Sequence, residues 1–282
     1  MTDHTSRDRI DPRPERAIVF VSCLVDQFRP QVGDAVVEVL DDSGITCEVP
    51  AGQTCCGQPA FNSGYRAEAR EVASRFLDIF DAAGDAQTPI VSPSGSCTAM
   101  VRNFYPILFA DDPAELERVE RVSNRLWEFS ELLTDGLGQG AEVAAETDAK
   151  DDKQQTAITY HKCCHALREL GLDEQPQSLI RSLDNIETRE LERSEVCCGF
   201  GGSFSVKMPD ISTAMLDEKL DNVEKTGAET LVAGDTGCIM HMAGGLRRRS
   251  SKVQVIHIAE LIAASRREAK ETATPTEESP AQ

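Results

Sequence analysis

Cysteine is the residue type whose spacing in this sequence points most directly to chemistry. Eight of the ten cysteines form two copies of one pattern, in which a single cysteine precedes a Cys-Cys-Gly motif and another cysteine follows it. The first copy comprises Cys23, Cys55, Cys56 and Cys97. The second comprises Cys164, Cys197, Cys198 and Cys238, and corresponding cysteines lie 141 or 142 positions apart. Four thiols per half are the donor set of a metal or iron–sulfur centre, so the pattern predicts a duplicated metal-binding unit.

Other roles for these thiols are open, and they are not equally compatible with the pattern. Buried cysteines often behave as small apolar residues, but that role does not explain eight thiols in duplicated register. Disulfides are disfavoured in a reducing cytoplasm. A Cys₄ zinc site is the serious competitor, although structural zinc sites commonly use CxxC pairs, which neither copy contains. We therefore expect iron–sulfur clusters, with zinc in one site as the alternative.

The adjacent cysteines need a particular backbone to act together. Successive side chains of a regular strand point to opposite faces, whereas a loop relaxed by the following glycine can aim both sulfurs at one centre. Gly57 and Gly199 follow the two cysteine pairs. The glycine-rich run at 199–202 also lets backbone N–H groups approach cluster sulfides closely.

Several cysteines and histidines lie near this pattern without belonging to it. Cys47 falls on a predicted strand, where packing is the expected role. Cys163 adjoins Cys164 and is a weaker candidate ligand, because the 141-residue offset favours Cys164. His161 and His165 flank the same site, either as partners of cluster sulfurs and proton relays or as ordinary partly buried histidines.

Composition restricts the compartment and the class of partner. The chain has 48 acidic and 29 basic residues and a net charge of −19, which disfavours nucleic acid and anionic membranes. No stretch approaches the roughly 18 apolar residues of a membrane span, and positions 1–16 lack the apolar core of a secretion signal. A cytoplasmic protein is expected. Only 8 basic residues are lysine, which is typical of halophilic proteins but also fits an acidic mesophilic one.

Predicted strands and helices alternate in both halves. Strands are predicted at 17–22, 47–49, 89–92, 157–160, 229–233 and 253–256, and helices at 32–40, 66–83, 211–225 and 257–267. This alternation predicts α/β domains, each a mostly parallel sheet flanked by helices. Three of the four thiol positions in each half fall where a strand ends or a glycine-rich loop begins, which is where ligand sites of open α/β sheets lie.

The same reasoning divides the chain into five regions. Residues 1–15 and the tail 268–282 lack apolar anchors and are predicted to be disordered. Two domains are predicted, at 16–133 and 156–267. A linker rich in Gly, Ala, Asp and Gln is predicted at 134–155, where the duplication places a boundary.

These motifs resemble those of the CCG cysteine-rich domain family. The family includes the cysteine-rich subunit of heterodisulfide reductase and the iron–sulfur subunits of glycolate oxidase and anaerobic glycerol-3-phosphate dehydrogenase. The resemblance is strongest to the lactate utilisation A branch and covers residues 17–265. The stretches that carry it are 22–28, 55–65, 91–97, 197–207, 235–238 and 257–260.

The resemblance implies two pseudo-two-fold related domains with one cluster each, and its departures bear on cluster type. The full family pattern ends in CxxC, whereas Met100 and His241 occupy the last position here. In heterodisulfide reductase the full pattern holds a noncubane cluster that acts on a disulfide, so this loss argues against that centre. Four thiolates suffice for a cubane [4Fe-4S] cluster. Met100 is expected to pack in the core, and His241 is a weaker candidate ligand.

The resemblance also implies a role and partners. The role is that of an iron–sulfur electron-transfer subunit in a multi-protein system that oxidises L-lactate to pyruvate. Its companions would be a ferredoxin-type iron–sulfur subunit and a third small subunit, or another dehydrogenase subunit that carries the flavin. The sequence itself has no ferredoxin motif, P-loop or GxGxxG fingerprint, and its catalytic residues stay unassigned. The alternatives are a thiol–disulfide reductase of the heterodisulfide reductase type, a glycolate oxidase iron–sulfur subunit, and a zinc-stabilised non-enzymatic scaffold.

Overall fold

The computed structural model describes residues 7–140 and 155–273, and these two stretches form two α/β halves of one design. Each half is built on a four-stranded sheet with helices on its faces. All strand pairs in both sheets are parallel, because every connection between neighbouring strands includes a helix or a long loop. The predicted fold class is confirmed.

The first half contains the sheet β2-β1-β3-β4. Its strands are β1 (Arg16–Val19), β2 (Thr46–Glu48), β3 (Ile90–Ser92) and β4 (Leu126–Glu128). Its helices are α1 (Cys23–Phe28), α2 (Pro30–Asp41), α3 (Gln58–Asn62), α4 (Arg66–Ala82), α5 (Gly95–Ala99), α6 (Tyr105–Leu108), α7 (Pro113–Arg125) and α8 (Phe129–Glu131). Two π-helical turns, Met100–Phe104 and Leu132–Gly136, follow α5 and α8.

The second half repeats this arrangement in the sheet β6-β5-β7-β8. Its strands are β5 (Thr156–His161), β6 (Ile186–Thr188), β7 (Thr230–Ala233) and β8 (Gln254–His257). Its helices are α9 (Cys164–Glu169), α10 (Glu174–Arg181), α11 (Ser203–Lys207), α12 (Pro209–Lys225), α13 (Thr236–Arg248) and α14 (Ile258–Ala273). None of the helices in the described ranges is long and apolar enough to cross a membrane.

Strand register establishes which residues of the two halves correspond. Val19 pairs with Val91 in the first sheet, and Tyr160 pairs with Val232 in the second. Both members of the second pair lie 141 positions after their counterparts, as the cysteine offset predicts. The duplication therefore extends from the cysteines to the sheets that position them.

Most predicted elements are present, with differences at their ends. Strand β1 stops at Val19 rather than at residue 22, because the chain must leave the sheet before α1 begins at Cys23. The edge strands β4 and β6, the helices α7, α10 and α13 and the short helices α1, α3, α5, α6, α8, α9 and α11 were not predicted. Strand β6 buries none of its residues completely, so it lacks the apolar run that marks an internal strand.

Parts of the two chain ends that were predicted to be disordered make defined contacts or lie in a helix. Arg7 donates a hydrogen bond to the Leu126 carbonyl, and its guanidinium lies 3.8 Å from the centre of the Trp127 ring. Ile10 packs against the central hydrophobic cluster. Helix α14 continues through Glu268 to Ala273. Positions 1–6, 141–154 and 274–282, which include most of the predicted linker and tail, lie outside the described residues.

One hydrophobic cluster joins the two halves. It includes Val36 and Val39 of α2 together with Ile258 and Ile262 of α14. Arg266 of α14 adds a hydrogen bond from its guanidinium to the Val39 carbonyl, at 2.8 Å. Burial of each such aliphatic side chain contributes about 1.5–3 kcal/mol, so the halves stabilise each other.

A second contact between the halves lies beside the cysteine loops and involves equivalent positions. Ser94 and Asp235 are 141 positions apart, and they form an isolated antiparallel bridge with each other. The Asp235 carboxylate accepts hydrogen bonds from the Ser94 hydroxyl and from the Ser96 N–H, both at 3.1 Å. It also accepts from the Gly237 N–H at 3.0 Å and so caps α13. The pseudo-two-fold axis therefore passes between these two turns.

The helix that follows the last strand of each half begins with the same kind of cap. The Glu128 carboxylate accepts from the Ser130 and Glu131 N–H groups, and the Glu131 carboxylate accepts in turn from the Glu128 N–H. In the second half the Glu260 carboxylate accepts from the His257 N–H. Burial raises the pKa of the Glu128 carboxyl to about 7. The protonated form of Glu128 is thus favoured in the folded state.

We expect Asp235→Ala to destabilise the protein by roughly 3 kcal/mol, since it removes three hydrogen bonds to a buried carboxylate. The measurement is the free energy of unfolding in urea. The matched control is Asp85→Ala, because Asp85 also accepts hydrogen bonds from Gln87 and Thr88 but is exposed and lies within one half. Equal losses in the two variants would contradict a special role for the contact between the halves.

Glu128 also predicts a pH dependence of stability. Because its folded pKa is raised, its favourable contribution is complete below pH 4.5 and is lost as the pH rises to about 7. The loss amounts to roughly 3 kcal/mol at most. Unfolding of wild type and Glu128→Gln should therefore show a difference in stability that changes between these two pH values and is constant above them. A difference that is constant from pH 4 to 8 would contradict this account.

Candidate metal centre

The four predicted thiols of the first half converge although they come from separate elements. Cys23 begins α1 after β1, Cys55 and Cys56 lie in the loop before α3, and Cys97 lies in α5 after β3. The Cys56 and Cys97 sulfurs are 3.3 Å apart, and Cys55 is hydrogen-bonded to Cys23 and Cys56. The predicted first set of ligands is thus a contiguous group of sulfurs. It forms no disulfide.

The thiols of the second half make the same arrangement and extend it by one. Cys197 is hydrogen-bonded to Cys164 and Cys198, and Cys198 is hydrogen-bonded to Cys238. Cys238 is also hydrogen-bonded to Cys163, which is 3% exposed. Sequence offset alone preferred Cys164 to Cys163, but the structure brings both into the group.

The Cys-Cys-Gly loops have the backbone that the sequence predicts. Gly57 and Gly199 have φ angles of +81° and +89°, which side chains other than glycine rarely adopt. A Cβ atom at Gly199 would lie 2.6 Å from the Ser212 carbonyl oxygen, so packing against α12 also excludes a side chain. In this conformation the Gly57 N–H points at the Cys55 sulfur (3.4 Å) and the Gly199 N–H at the Cys197 sulfur (3.3 Å).

These contacts make one cysteine of each set strongly acidic. Hydrogen bonds from the Cys23 and Cys56 thiols and from the Gly57 N–H lower the pKa of Cys55 to about 3. The corresponding bonds from Cys164, Cys198 and Gly199 lower the pKa of Cys197 to about 2. These contacts therefore favour the thiolate forms of Cys55 and Cys197, and the thiolate is the form that binds metals.

Both sulfur sets line one cavity of about 330 Å³ between the two halves. All eight cysteines of the duplicated pattern contribute to its wall, together with Cys163 and His165. Ser94 and Asp235, which join the halves, also line it. The sequence predicted one site in each half. The structure adds that the two sites face each other across a shared space.

The remaining candidate residues separate into those near the cavity and those away from it. The His165 Nδ1 atom lies 3.6 Å from the Cys164 sulfur. His241 does not line the cavity; its Nε2 atom lies 3.3 Å from the Ser212 hydroxyl, which supports the Gly199 loop. Met100 is fully buried in the core of the first half. Cys47 packs at the edge of the central cluster, and burial raises the pKa of its thiol to about 11.

Two buried polar residues lie in this part of the second half: the sequence named His161 as a possible partner of the cluster sulfurs, whereas Lys219 carried no signal. His161 is fully buried, and neither of its ring nitrogens makes a hydrogen bond of normal geometry among the described residues, the Ser194 backbone being the polar group beside the ring. Lys219 is 2% exposed, and its ammonium group donates to the Arg193 and Ser194 carbonyls. The helical spacing of α12 marks Lys219 only as a member of that helix. The three-dimensional arrangement is what places it near the second set of sulfurs.

The residues present fit a metal or iron–sulfur centre in each half. Each set offers four sulfurs in a continuous row of pairwise contacts, with backbone N–H groups aimed at one of them. The second half also holds an imidazole without partners among the described residues, which is a typical metal donor. The structure thus supports binding of a thiophilic metal centre.

Comparison with known proteins identifies relatives over most of the chain. Lactate utilization protein A 2 of Bacillus cereus is 39% identical over 245 residues, which cover 87% of this chain and 96% of that protein. Lactate utilization protein A of Bacillus subtilis is 42% identical over 244 residues, covering 86% of this chain and 97% of that protein. The crystal structure of a hypothetical protein from Helicobacter pylori covers 94% of this chain with a TM-score of 0.57 and 10% identity. That superposition spans 51% of the Helicobacter protein and shows a shared fold.

The cysteine-rich domain family CCG matches two segments, residues 17–102 and 158–243. Each segment contains one complete set of four thiols. The predicted resemblance is confirmed, and the chain belongs to the CCG cysteine-rich domain family, of which it carries two domains.

Proposed function

We propose that this protein is an iron–sulfur electron-transfer subunit of a cytoplasmic system that oxidises L-lactate to pyruvate. The observation that carries the proposal is the convergence of two four-thiol sets on one cavity. Relatives named lactate utilization protein A, similar over most of their length, support the substrate. We propose a [4Fe-4S] cluster in each half, held by the cysteines of the duplicated pattern. Those cysteines are Cys23, Cys55, Cys56, Cys97, Cys164, Cys197, Cys198 and Cys238.

The residues of each half would bind the cluster and set its surroundings. Cys55 and Cys197 offer thiolates without further proton loss, and the Gly57 and Gly199 N–H groups donate to sulfur. When bound, an iron–sulfur cluster supplies one-electron exchange at a potential that hydrogen bonds, charge and exposure tune. Because both sulfur sets line the same cavity, we infer that electrons would pass directly between the two clusters.

We place oxidation of the hydroxy acid itself on a partner. A site that binds a small carboxylate generally presents Arg or Lys to it. The cavity wall in the described structure consists of cysteine, serine, glycine and a few other uncharged residues, together with His165 and Asp235. The companions we propose are a ferredoxin-type iron–sulfur subunit and a third small subunit, or another subunit that carries a flavin.

The region beside the cavity offers a surface for such a partner. Ser203 of α11 lines the cavity, and Val206 of the same helix is 80% exposed. Met208 and Ile211, which follow it, are also largely exposed. Exposed apolar side chains of this kind often mark protein contacts.

The shared cavity favours one alternative, thiol–disulfide reduction of the heterodisulfide reductase type. A disulfide bound in the cavity would contact both sulfur sets, and two electrons and two protons would convert it to two thiols. Lactate oxidation depends on partners, whereas disulfide reduction would proceed on the isolated, chemically reduced protein. Turnover of a small disulfide by that protein, at a rate above the uncatalysed exchange, would favour this alternative.

Metal analysis tests the proposal directly. Protein purified without oxygen should contain iron and sulfide in near-equal amounts, about eight of each per chain if both sites are filled. Cys56→Ser and Cys198→Ser should each lose about half of this content, because each removes a ligand from one site. Cys47→Ser is the matched control and should lose none. Zinc without sulfide would contradict the proposal and favour a zinc-stabilised scaffold.

Lys219 predicts a difference in potential between the two halves. Its buried ammonium lies near Cys197, Cys198 and Cys238, and a positive charge stabilises the reduced, more negative form of a cluster. Lys219→Met should therefore lower the reduction potential of the second site and leave the first unchanged. EPR-monitored potentiometry measures both values. An unchanged second potential, with both sites filled, would show that Lys219 serves only to hold the Arg193 loop.

A further inference from the structure

The second half contains a group of buried donor atoms beyond the four-thiol pattern. A ring nitrogen of His161 and the sulfurs of Cys163 and Cys238 all lie within 4.8 Å of one another. All three residues are buried. Both ring nitrogens of His161 lack hydrogen-bond partners within the described residues, which costs about 1–3 kcal/mol for each unsatisfied group. A metal ion bound to one nitrogen removes part of that cost.

The duplication shows that this group is specific to the second half. The 141-residue offset, which the strand register supports, matches His161 with Phe20 and Cys163 with Ser22. Phe20 packs against Phe76 with a centroid separation of 4.8 Å, so the corresponding position of the first half is occupied by packed aromatic rings. Two metal donors have therefore replaced a phenyl ring and a hydroxyl group at equivalent positions.

Lys219, in helix α12, is a third position at which a polar residue of the second half corresponds to an apolar residue of the first. The carbonyl groups that pack on the two loop glycines belong to Ala69 and Ser212, which are 143 positions apart, and this offset matches Lys219 with Phe76. The ammonium of Lys219 lies near the sulfurs of the second set.

We propose that His161, Cys163 and Cys238 bind a metal through one imidazole nitrogen and two thiolates. The second half then holds its metal by mixed nitrogen and sulfur ligation, and the first half by thiolates alone. Imidazole combined with thiolate suits Zn²⁺ and Fe²⁺, so the ion is a divalent first-row transition metal, and it takes Cys238 as a ligand in place of the four-thiol cluster proposed for this half. Cys198, whose thiol is hydrogen-bonded to Cys238, lies where it could act as a further ligand.

This inference rests on the proposed function only in requiring that the second set of thiols binds metal. It does not depend on lactate, on sulfide or on electron transfer. It also accounts for the unpartnered ring of His161 in the described structure, which the four-thiol pattern leaves unexplained.

The test uses the full chain labelled with ¹⁵N-histidine. Metal-free protein is loaded anaerobically with Co²⁺ alone, and in parallel the protein with its native metal content is reduced. Pulsed EPR should detect a directly bound ¹⁵N nucleus in the wild type. The coupling should persist in His165→Phe, the matched control for a histidine that lines the cavity, and should vanish in His161→Phe, which installs the residue of the first half.

Affinity gives a second readout. Cys163→Ser, which also installs the first-half residue, should weaken Co²⁺ and Zn²⁺ binding at the second site roughly tenfold or more and reduce the thiolate-to-cobalt absorption. Cys47→Ser should change neither. Absence of ¹⁵N coupling in the wild type overturns the mixed site without any substitution, and coupling that persists in His165→Phe excludes the other cavity histidine even if His161→Phe does not fold.

The outcomes separate this inference from the proposed function. Absence of ¹⁵N coupling in both wild-type samples, or coupling that survives in His161→Phe, overturns the mixed site and leaves the iron–sulfur function intact. Zinc without sulfide overturns the iron–sulfur function. If that zinc shows tenfold weaker binding in Cys163→Ser and ¹⁵N coupling is present in the Co²⁺-loaded wild type but lost in His161→Phe, the mixed site stands on its own.

Discussion

The structure depends on one constraint, which is that four sulfur atoms from distant parts of the chain must meet at one point. Parallel strands satisfy it, because their carboxyl ends lie along the same edge of the sheet. In the first half Cys23 follows β1 and Cys97 follows β3, two strands that are paired with each other. The adjacent cysteines reach the same edge from the loop after β2. The α/β fold thus provides a convergence that close sequence spacing provides in smaller metal proteins.

Duplication adds a second constraint, since the two sulfur sets line one cavity. The turns that deliver Cys97 and Cys238 are the turns that meet at the Ser94–Asp235 bridge. A change in either turn therefore affects the contact between the halves and the cysteine that follows it. The α2–α14 contact at the other side of the interface is hydrophobic and is remote from the thiols. The stability of the interface and the geometry of the site are therefore coupled at the Ser94–Asp235 contact and independent at the α2–α14 contact.

Much of the fold and of the thiol arrangement was predictable from the sequence because the second half repeats the first. The constant offset between cysteines predicted two equivalent halves, and strand-ending positions such as Cys23 predicted that the thiols converge. The edge strand β6 was missed because Ile186 is only partly buried and its neighbours are exposed, so its sequence carries no internal-strand signal. No periodicity indicates that Ser94 would meet Asp235, since that contact forms only when two separately predicted units pack.

The differences between the halves were the least predictable part. His161 is the last residue of β5 and its counterpart Phe20 directly follows β1; the sequence placed His161 beside the site but did not indicate that its ring is buried and unpartnered among the described residues. Cys163 was ranked below Cys164 by offset, and its contact with Cys238 comes from the fold. Equivalent positions with different donors let a duplicated protein hold two unlike centres in one framework.

The central claim is that two metal centres face each other across one cavity. The most direct measurement is the EPR spectrum of anaerobically purified protein that is reduced stepwise until both sites are paramagnetic. Two facing centres should broaden or split the spectrum through spin–spin interaction once the second site is reduced, and Cys56→Ser and Cys198→Ser should each leave a single, simple signal. A fully reduced spectrum that equals the sum of the two variant spectra would contradict the claim.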